Sequence, residues 1–130
     1  MLPAQARLRR RPEFTAVVRS GRRVGRPTMV LHFLADRTLA GSTGGQGGSA
    51  VPTGPRAGFV VGKAVGNSVV RSRVTRRLRA LVRDELGRLP PTSDLVVRAT
   101  PESADAETPV LRRDLRSGLD RLLGSQVGSS

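Results

Sequence analysis

The sequence predicts an α+β fold, a single-domain α-β-β-(β)-α-β-α sandwich with its helices packed on one mixed sheet. Two observations support this prediction. The length of 130 residues suits one domain, and apolar residues recur at helical spacing in three segments separated by short apolar runs typical of strands. Because aromatic residues make up only 2% of the chain, the core must consist mainly of Val, Leu and Ala.

The first helix is predicted over residues 12–20. Pro12 in the first turn and Glu13 near the positive end of the helix dipole favour its start, and Ser20-Gly21 favours its end. Its apolar face, spaced i, i+3 and i+4, consists of Phe14, Val17 and Val18.

Two strands are predicted to follow this helix. After a basic turn at 22–27, residues 28–34 are apolar at nearly every position, which indicates a strand covered on both faces. Strand character resumes at 57–62. The Gly, Ser, Thr and Pro-rich stretch 40–55 is predicted to be a flexible loop between them, so the two strands would form an expanded hairpin.

The second helix is predicted from a cap at Asn67 or Ser68 to about Leu86. At about 100° per residue, its apolar and basic residues separate onto two faces. The apolar face carries Val70, Val74, Leu78, Leu81 and Val82, and the basic face carries Arg73, Arg76, Arg79 and Arg83. Six arginines and no acid lie from Arg71 to Arg83, an arrangement typical of polyanion binding.

A strand at 94–99, an acidic turn at 102–107 and a third helix from Pro109 to Gly124 complete the predicted fold. The inner face of this helix is formed by leucines at helical spacing: Leu111, Leu115, Leu119 and Leu122.

Charge is distributed unevenly along the chain. Residues 1–90 hold 18 basic and four acidic residues, a net charge of +14, whereas residues 91–130 have a net charge of −1. This confinement predicts a surface that binds a polyanion. Of the 23 basic residues 22 are arginine, whose guanidinium groups bind phosphate and stack on bases, which suits RNA.

The predicted organisation therefore has three parts. Residues 1–11 form a basic N-terminal arm, residues 12–123 form a single RNA-binding α/β domain that includes the loop 40–55, and residues 124–130 form a disordered tail.

The composition excludes several kinds of site. The absence of cysteine excludes disulfides and cysteine-bound zinc, and it is consistent with a cytoplasmic location. His32 is the one histidine, and its apolar neighbours favour a partly packed ring over a catalytic base. Gly62-Lys63 is not followed by Ser or Thr, so no Walker A motif is present. Because no apolar run reaches 18 residues, no membrane partner is predicted.

The segment from Gly62 to Arg79 closely resembles the signature of the bacterial ribonuclease P protein component family. The residues that match its K-x-x-G-N-A-V-x-R-N-R-x-K-R-x-x-R pattern are Lys63, Gly66, Asn67, Val69, Arg71, Arg73, Arg76 and Arg79. Ser72 and Thr75 are departures from the pattern. Ser72 stands where the family usually has asparagine, and Thr75 stands where it usually has a basic residue.

The N-terminal segment is also similar to the family's R-L-x-x-x-x-D-F-x-x-V-F-x-x-G opening. The matching residues are Arg7-Leu8-Arg9, Phe14, Val17 and Ser20-Gly21. Val18 replaces the second aromatic residue, and Glu13 replaces aspartate. The resemblance covers about residues 7–123, and the predicted order of elements agrees with the family's ribosomal-protein-like fold.

The resemblance implies the protein subunit of an RNA-based endonuclease that removes the 5′ leader from precursor tRNA. Its partners would be ribonuclease P RNA and the precursor tRNA leader, with no small-molecule substrate. The RNA subunit would be catalytic, with no catalytic residue in the protein, and Mg²⁺ would be held mainly by the RNA and substrate. The expected RNA-binding residues are Lys63, Asn67, Arg71, Arg73, Arg76, Arg77, Arg79 and Arg83, and those lining a leader cleft are Phe14, Val18 and His32.

Two alternative functions remain compatible with a small basic domain. A ribosomal or other structural RNA-binding protein without a role in cleavage would share the fold, and only the motif from Gly62 to Arg79 separates it from the first hypothesis. An amphipathic membrane-surface protein is the other alternative, but the apolar face of the second helix lacks Trp and Phe anchors.

Overall fold

A computed structural model describes residues 11–36 and 54–126, which form three helices and one four-stranded sheet. The helices are α1 (Arg11–Ser20), α2 (Ser68–Glu85) and α3 (Thr108–Gln126). The strands are β1 (Arg22–Gly25), β2 (Met29–Leu34), β3 (Arg56–Val60) and β4 (Asp94–Ala99). This arrangement confirms the predicted α+β sandwich. The predicted arm, the central loop and the C-terminal tail fall largely or wholly outside the described residues.

The sheet has the strand order β1-β2-β4-β3, and only the β3–β4 pair is parallel. Two predictions were wrong here. The predicted basic turn contains β1, an edge strand in which only Val24 is half-buried, so no apolar alternation marks it. The predicted hairpin does not form, because β4 lies between β2 and β3 and pairs with both.

The two faces of the sheet are covered by different helices. Helices α2 and α3 pack on one face, where the larger core contains Leu31 and Phe33 of β2 and Leu95 and Val97 of β4. Helix α1 packs on the other face, where Val17 contacts Leu34 and Val96. Strand β2 is therefore buried on both faces, as predicted.

The end of α1 lies directly against β2. A Cβ atom on Gly21 would lie 2.5 Å from the carbonyl oxygens of Phe33 and Val17, a distance that side chains do not tolerate. The Gly21 amide donates to the Val17 carbonyl at 2.8 Å and ends the helix there, as predicted. Only glycine permits this close approach, which fixes α1 over the sheet.

Helix α3 is held to the sheet by its leucines and by one buried carboxylate. Its four predicted inner-face leucines are fully buried: Leu111, Leu115, Leu119 and Leu122. Asp114 accepts hydrogen bonds from the backbone amide and the hydroxyl of Thr28, at 3.1 and 2.7 Å. The helix continues to Gln126, so Gly124 does not end it as predicted.

Candidate nucleic-acid interface

The connection between β3 and α2 carries the first of the predicted site residues. Gly66 passes so close to the helix that a Cβ atom there would lie 2.9 Å from Val70. The next residue, Asn67, caps α2, and its side-chain oxygen accepts a hydrogen bond from the Val70 amide at 3.0 Å. Lys63 is exposed in the same connection. This end of α2 therefore presents both a cation and a helix N-terminus.

Helix α2 separates its apolar and basic residues as predicted. Val74, Leu78, Leu81 and Val82 are buried in the core. Five arginines on the opposite side and its borders form what we term the α2 arginine surface: Arg71, Arg73, Arg76, Arg79 and Arg83. The sixth, Arg77, is half-buried and donates to the Ala106 carbonyl at 3.2 Å, so it also fastens α2 to the segment before α3.

The α2 arginine surface has almost no neutralising charge. Arg83 lies 3.9 Å from Asp84, and both side chains are more than half exposed. Within residues 11–36 and 54–126, no ion pair joins a carboxylate to the other four arginines of the surface. The buried Nε atoms of Arg71 and Arg79 also lack hydrogen-bond partners among these residues. Such a surface keeps its full attraction for phosphate.

A groove of about 270 Å³ lies on the opposite side of the sheet, between α1 and the strands. Its lining residues are Phe14, Thr15, Val18, Arg19, His32, Val60, Val96 and Arg98. The fold thus brings together the three residues predicted to line a leader cleft, although they come from two separate elements. Phe14 is half-buried, Val18 is 49% exposed and His32 is 7% exposed.

Two arginines of this region were missed by the sequence reasoning. No sequence pattern assigned Arg98 to a site, but it lies two residues after Val96 on β4 and therefore shares its face in the groove. Arg23 stands directly opposite His32 in the β1–β2 register. The pKa of His32 is lowered below its ordinary value. Burial is the largest cause, and the positive charges of Arg98 and Arg23 add to it.

Two further features bear on the kind of site. Across the described residues, no group of three or more His, Cys, Asp or Glu side chains is placed to hold a metal ion. None of the described helices is both long and apolar enough to cross a membrane.

Comparison with known proteins gives the family. The Ribonuclease P family profile matches residues 2–123. The chain belongs to this family. A ribonuclease P protein component from Streptomyces griseus is 55% identical over 124 residues, which cover 95% of this chain and 97% of that protein. The residues that match the family pattern in the sequence lie on α2 and on the connection before it.

Solved structures of two other family proteins share the fold. The RNase P protein of Staphylococcus aureus superposes with a TM-score of 0.71 at 20% identity, covering 89% of this chain and 94% of that one. The RNase P protein from Thermotoga maritima gives a TM-score of 0.68 at 23% identity, covering 88% and 96%. At these identities the likeness establishes the architecture of the chain.

Proposed function

We propose that this chain is the protein subunit of ribonuclease P and promotes endonucleolytic removal of the 5′ leader from precursor tRNA in the cytoplasm. The observation that carries the proposal is its 55% identity to a ribonuclease P protein component over nearly the whole of both chains. Catalysis is assigned to the RNA subunit, in line with the family resemblance. The protein contributes binding and charge neutralisation.

The α2 arginine surface binds the RNA subunit in this proposal. Folded RNA is recognised largely through its phosphates and 2′-hydroxyl groups, which require dense positive charge and no base-specific pocket. At about 1.5 Å per residue, Arg73 to Arg83 span some 15 Å, which is enough for several phosphates. The contact with the RNA subunit extends beyond the α2 arginine surface to Lys63, Asn67 and Arg77.

The groove beside α1 binds the single-stranded leader. Phe14 offers a ring on which a base can stack, and Arg19 and Arg98 lie along the same groove for backbone phosphates. Val18 offers less stacking surface than the aromatic residue that the family pattern usually has there. We therefore expect leader binding to depend little on leader sequence.

Magnesium in this proposal is held mainly by the RNA subunit and the substrate. Bringing two RNA chains together raises the local negative charge, and the arginines of both surfaces reduce that repulsion. The protein should therefore lower the magnesium concentration that cleavage requires.

The test is cleavage of a 5′-extended precursor tRNA by the organism's own ribonuclease P RNA at low magnesium, with and without the protein. We expect the protein to stimulate cleavage at the mature 5′ end. A variant carrying Arg73→Gln and Arg76→Gln is the matched control and should stimulate less at the same concentration. Tight RNA binding without any stimulation would contradict the proposal and favour a ribosomal or other structural RNA-binding role.

A further inference from the structure

The groove beside α1 contains the only histidine of the chain in an unusual setting. His32 is 7% exposed, and its imidazole makes no hydrogen bond to another residue within the described ranges. Neither ring nitrogen is among the fully buried side-chain atoms without a partner, so the imidazole is accessible from the groove that it lines. A ligand that enters the groove can therefore form a hydrogen bond with this ring.

Cations face His32 from three neighbouring elements. Arg23 lies opposite it on β1, Arg98 lies diagonally from it on β4, and Arg19 lines the same groove from α1. The side chains of Arg23 and Arg98 are exposed, so an anion can reach both. This cluster is separate from the α2 arginine surface, which lies across the sheet.

The acid that β4 places on this face is already paired with an arginine. Asp94 lies two residues before Val96 on β4, and both of its carboxylate oxygens accept hydrogen bonds from the Arg56 guanidinium of β3, at 2.9 and 2.8 Å. The other β3 residues on this face, Gly58 and Val60, are uncharged. The electrostatic potential at the His32 imidazole is therefore positive, because the arginines around it determine its sign.

We propose that the groove takes up a leader phosphate and a proton together, with the phosphate between Arg23 and Arg98 and the proton on His32. The protonated imidazole then donates to the bound phosphate. This inference rests on the proposed function, because the precursor tRNA leader is the occupant. Proton uptake by His32 makes leader affinity depend on pH, which a phenylalanine or tyrosine at this position would not do.

The direction of the effect follows from charge. In the unbound protein, burial and the two arginines lower the pKa of His32, so the ring is neutral near pH 7. A bound phosphate offsets the arginines and raises the pKa of His32. Binding then takes up a proton, so leader affinity rises as pH falls through the window between the two pKa values and is constant outside it.

Nuclear magnetic resonance can observe the proton directly. Because the chain has one histidine, the full-length protein prepared without a histidine tag gives a single imidazole signal. We expect its pKa to rise when a short single-stranded RNA of leader sequence is added. The same pKa with and without this RNA, at concentrations where the RNA is bound, would overturn the inference.

Arg98→Met is the matched variant for this titration. Its side chain is exposed, so the fold should be retained, and removing its charge should raise the pKa of His32 in the unbound protein. The variant should also bind the leader RNA less tightly. An unchanged pKa in the unbound variant would show that Arg98 does not act on His32.

Holoenzyme binding separates this inference from the proposed function. The measured quantity is the ratio of the holoenzyme's affinities for a non-cleavable leader-bearing precursor and for mature tRNA. Titration of groups in the RNA subunit affects both affinities and therefore cancels in this ratio. We expect the preference to be about threefold greater at about pH 5.5 than at about pH 7.5 for the wild type, and equal at both for His32→Gln. His32→Phe provides a second non-titrating variant, one that retains an aromatic ring.

The outcomes differ for the two claims. A leader preference that is equal at both pH values in the wild-type holoenzyme overturns the proton linkage and leaves leader binding intact. No leader preference at either pH contradicts both the linkage and the proposed leader groove.

Discussion

Helices α2 and α3 are alike in length and packing but differ in how their arginines are paired. They contain 18 and 19 residues and pack apolar faces on the same side of the sheet. Around α3, Arg113 lies 3.6 Å from Asp114 and Arg116 lies 3.6 Å from Glu85. Among the described residues, one carboxylate forms an ion pair with the α2 arginine surface, that of Asp84 at 3.9 Å from Arg83.

This difference indicates which arginines serve the fold and which serve a ligand. Glu85 also accepts from Arg88 at 3.2 Å, and Arg88 donates to Asp120, so acids and arginines form a network between α2, α3 and the turn joining α2 to β4. Individual surface pairs stabilise a protein only slightly. Stability therefore explains poorly why four of the five arginines of the α2 arginine surface have no such pair among the described residues, and their mutual repulsion is instead offset when a polyanion binds.

The largest expected effect is on the α2 arginine surface. Replacing Arg73 and Arg76 together by glutamine should weaken binding of ribonuclease P RNA at least about tenfold and reduce the slope of log affinity against log salt by about two. The matched control is the pair Arg112→Gln and Arg121→Gln, which removes the same charge from exposed positions of α3. Equal losses in both double variants would show that only net charge matters.

A smaller effect on stability is expected from the buried acid of α3. Asp114→Asn removes the charge from the group that accepts both Thr28 hydrogen bonds and should cost about 1–3 kcal/mol, measured by urea denaturation. RNA affinity of the folded variant should not change. Asp120→Asn, at an exposed carboxylate, is the control and should cost less than about 1 kcal/mol.

The smallest expected effect concerns the groove. Phe14→Ala removes its half-buried ring and should reduce the preference for leader-bearing precursor over mature tRNA about fivefold, since stacking of one base on an aromatic ring is lost. Affinity for the RNA subunit should be unchanged. A comparable loss of affinity for mature tRNA would place Phe14 in the core and not in a leader site.

Most of the fold could be predicted from local sequence patterns. The three helices, the central apolar strands and the inner faces of α2 and α3 follow from spacing alone. The strand order could not be predicted, because β4 enters between β2 and β3 through pairings between distant segments. The edge strand β1 was also missed, since an exposed basic strand carries no apolar alternation.

One part of the candidate site, the α2 arginine surface, could be predicted from the sequence, and the other part, the groove, could be predicted only in part. The α2 arginine surface lies on one helix, so its residues share a face whatever the tertiary structure. The groove joins α1 to β2 and β4, and the setting of Arg23 and Arg98 around His32 depends on the β1–β2–β4 register. No local pattern contains that register, although alternation along β4 places Arg98 and Val96 on one face.

One measurement tests the central claim most directly. It compares the affinity for ribonuclease P RNA of two variants, one with a glutamate added to α2 and the other with a glutamate added to α3. Ala80→Glu places a carboxylate on the exposed side of α2, between Arg76 and Arg83, and Ser117→Glu places one at an exposed position of α3, between Arg113 and Arg121. Each new glutamate lies at helical i, i+3 or i, i+4 spacing from arginines and also from an acid, Asp84 on α2 or Asp114 and Asp120 on α3. Because these small effects oppose each other, the melting temperature should change little in either variant. We predict that Ala80→Glu weakens RNA binding about tenfold and that Ser117→Glu does not. Equal affinities for the two variants would contradict the assignment of RNA binding to the α2 arginine surface.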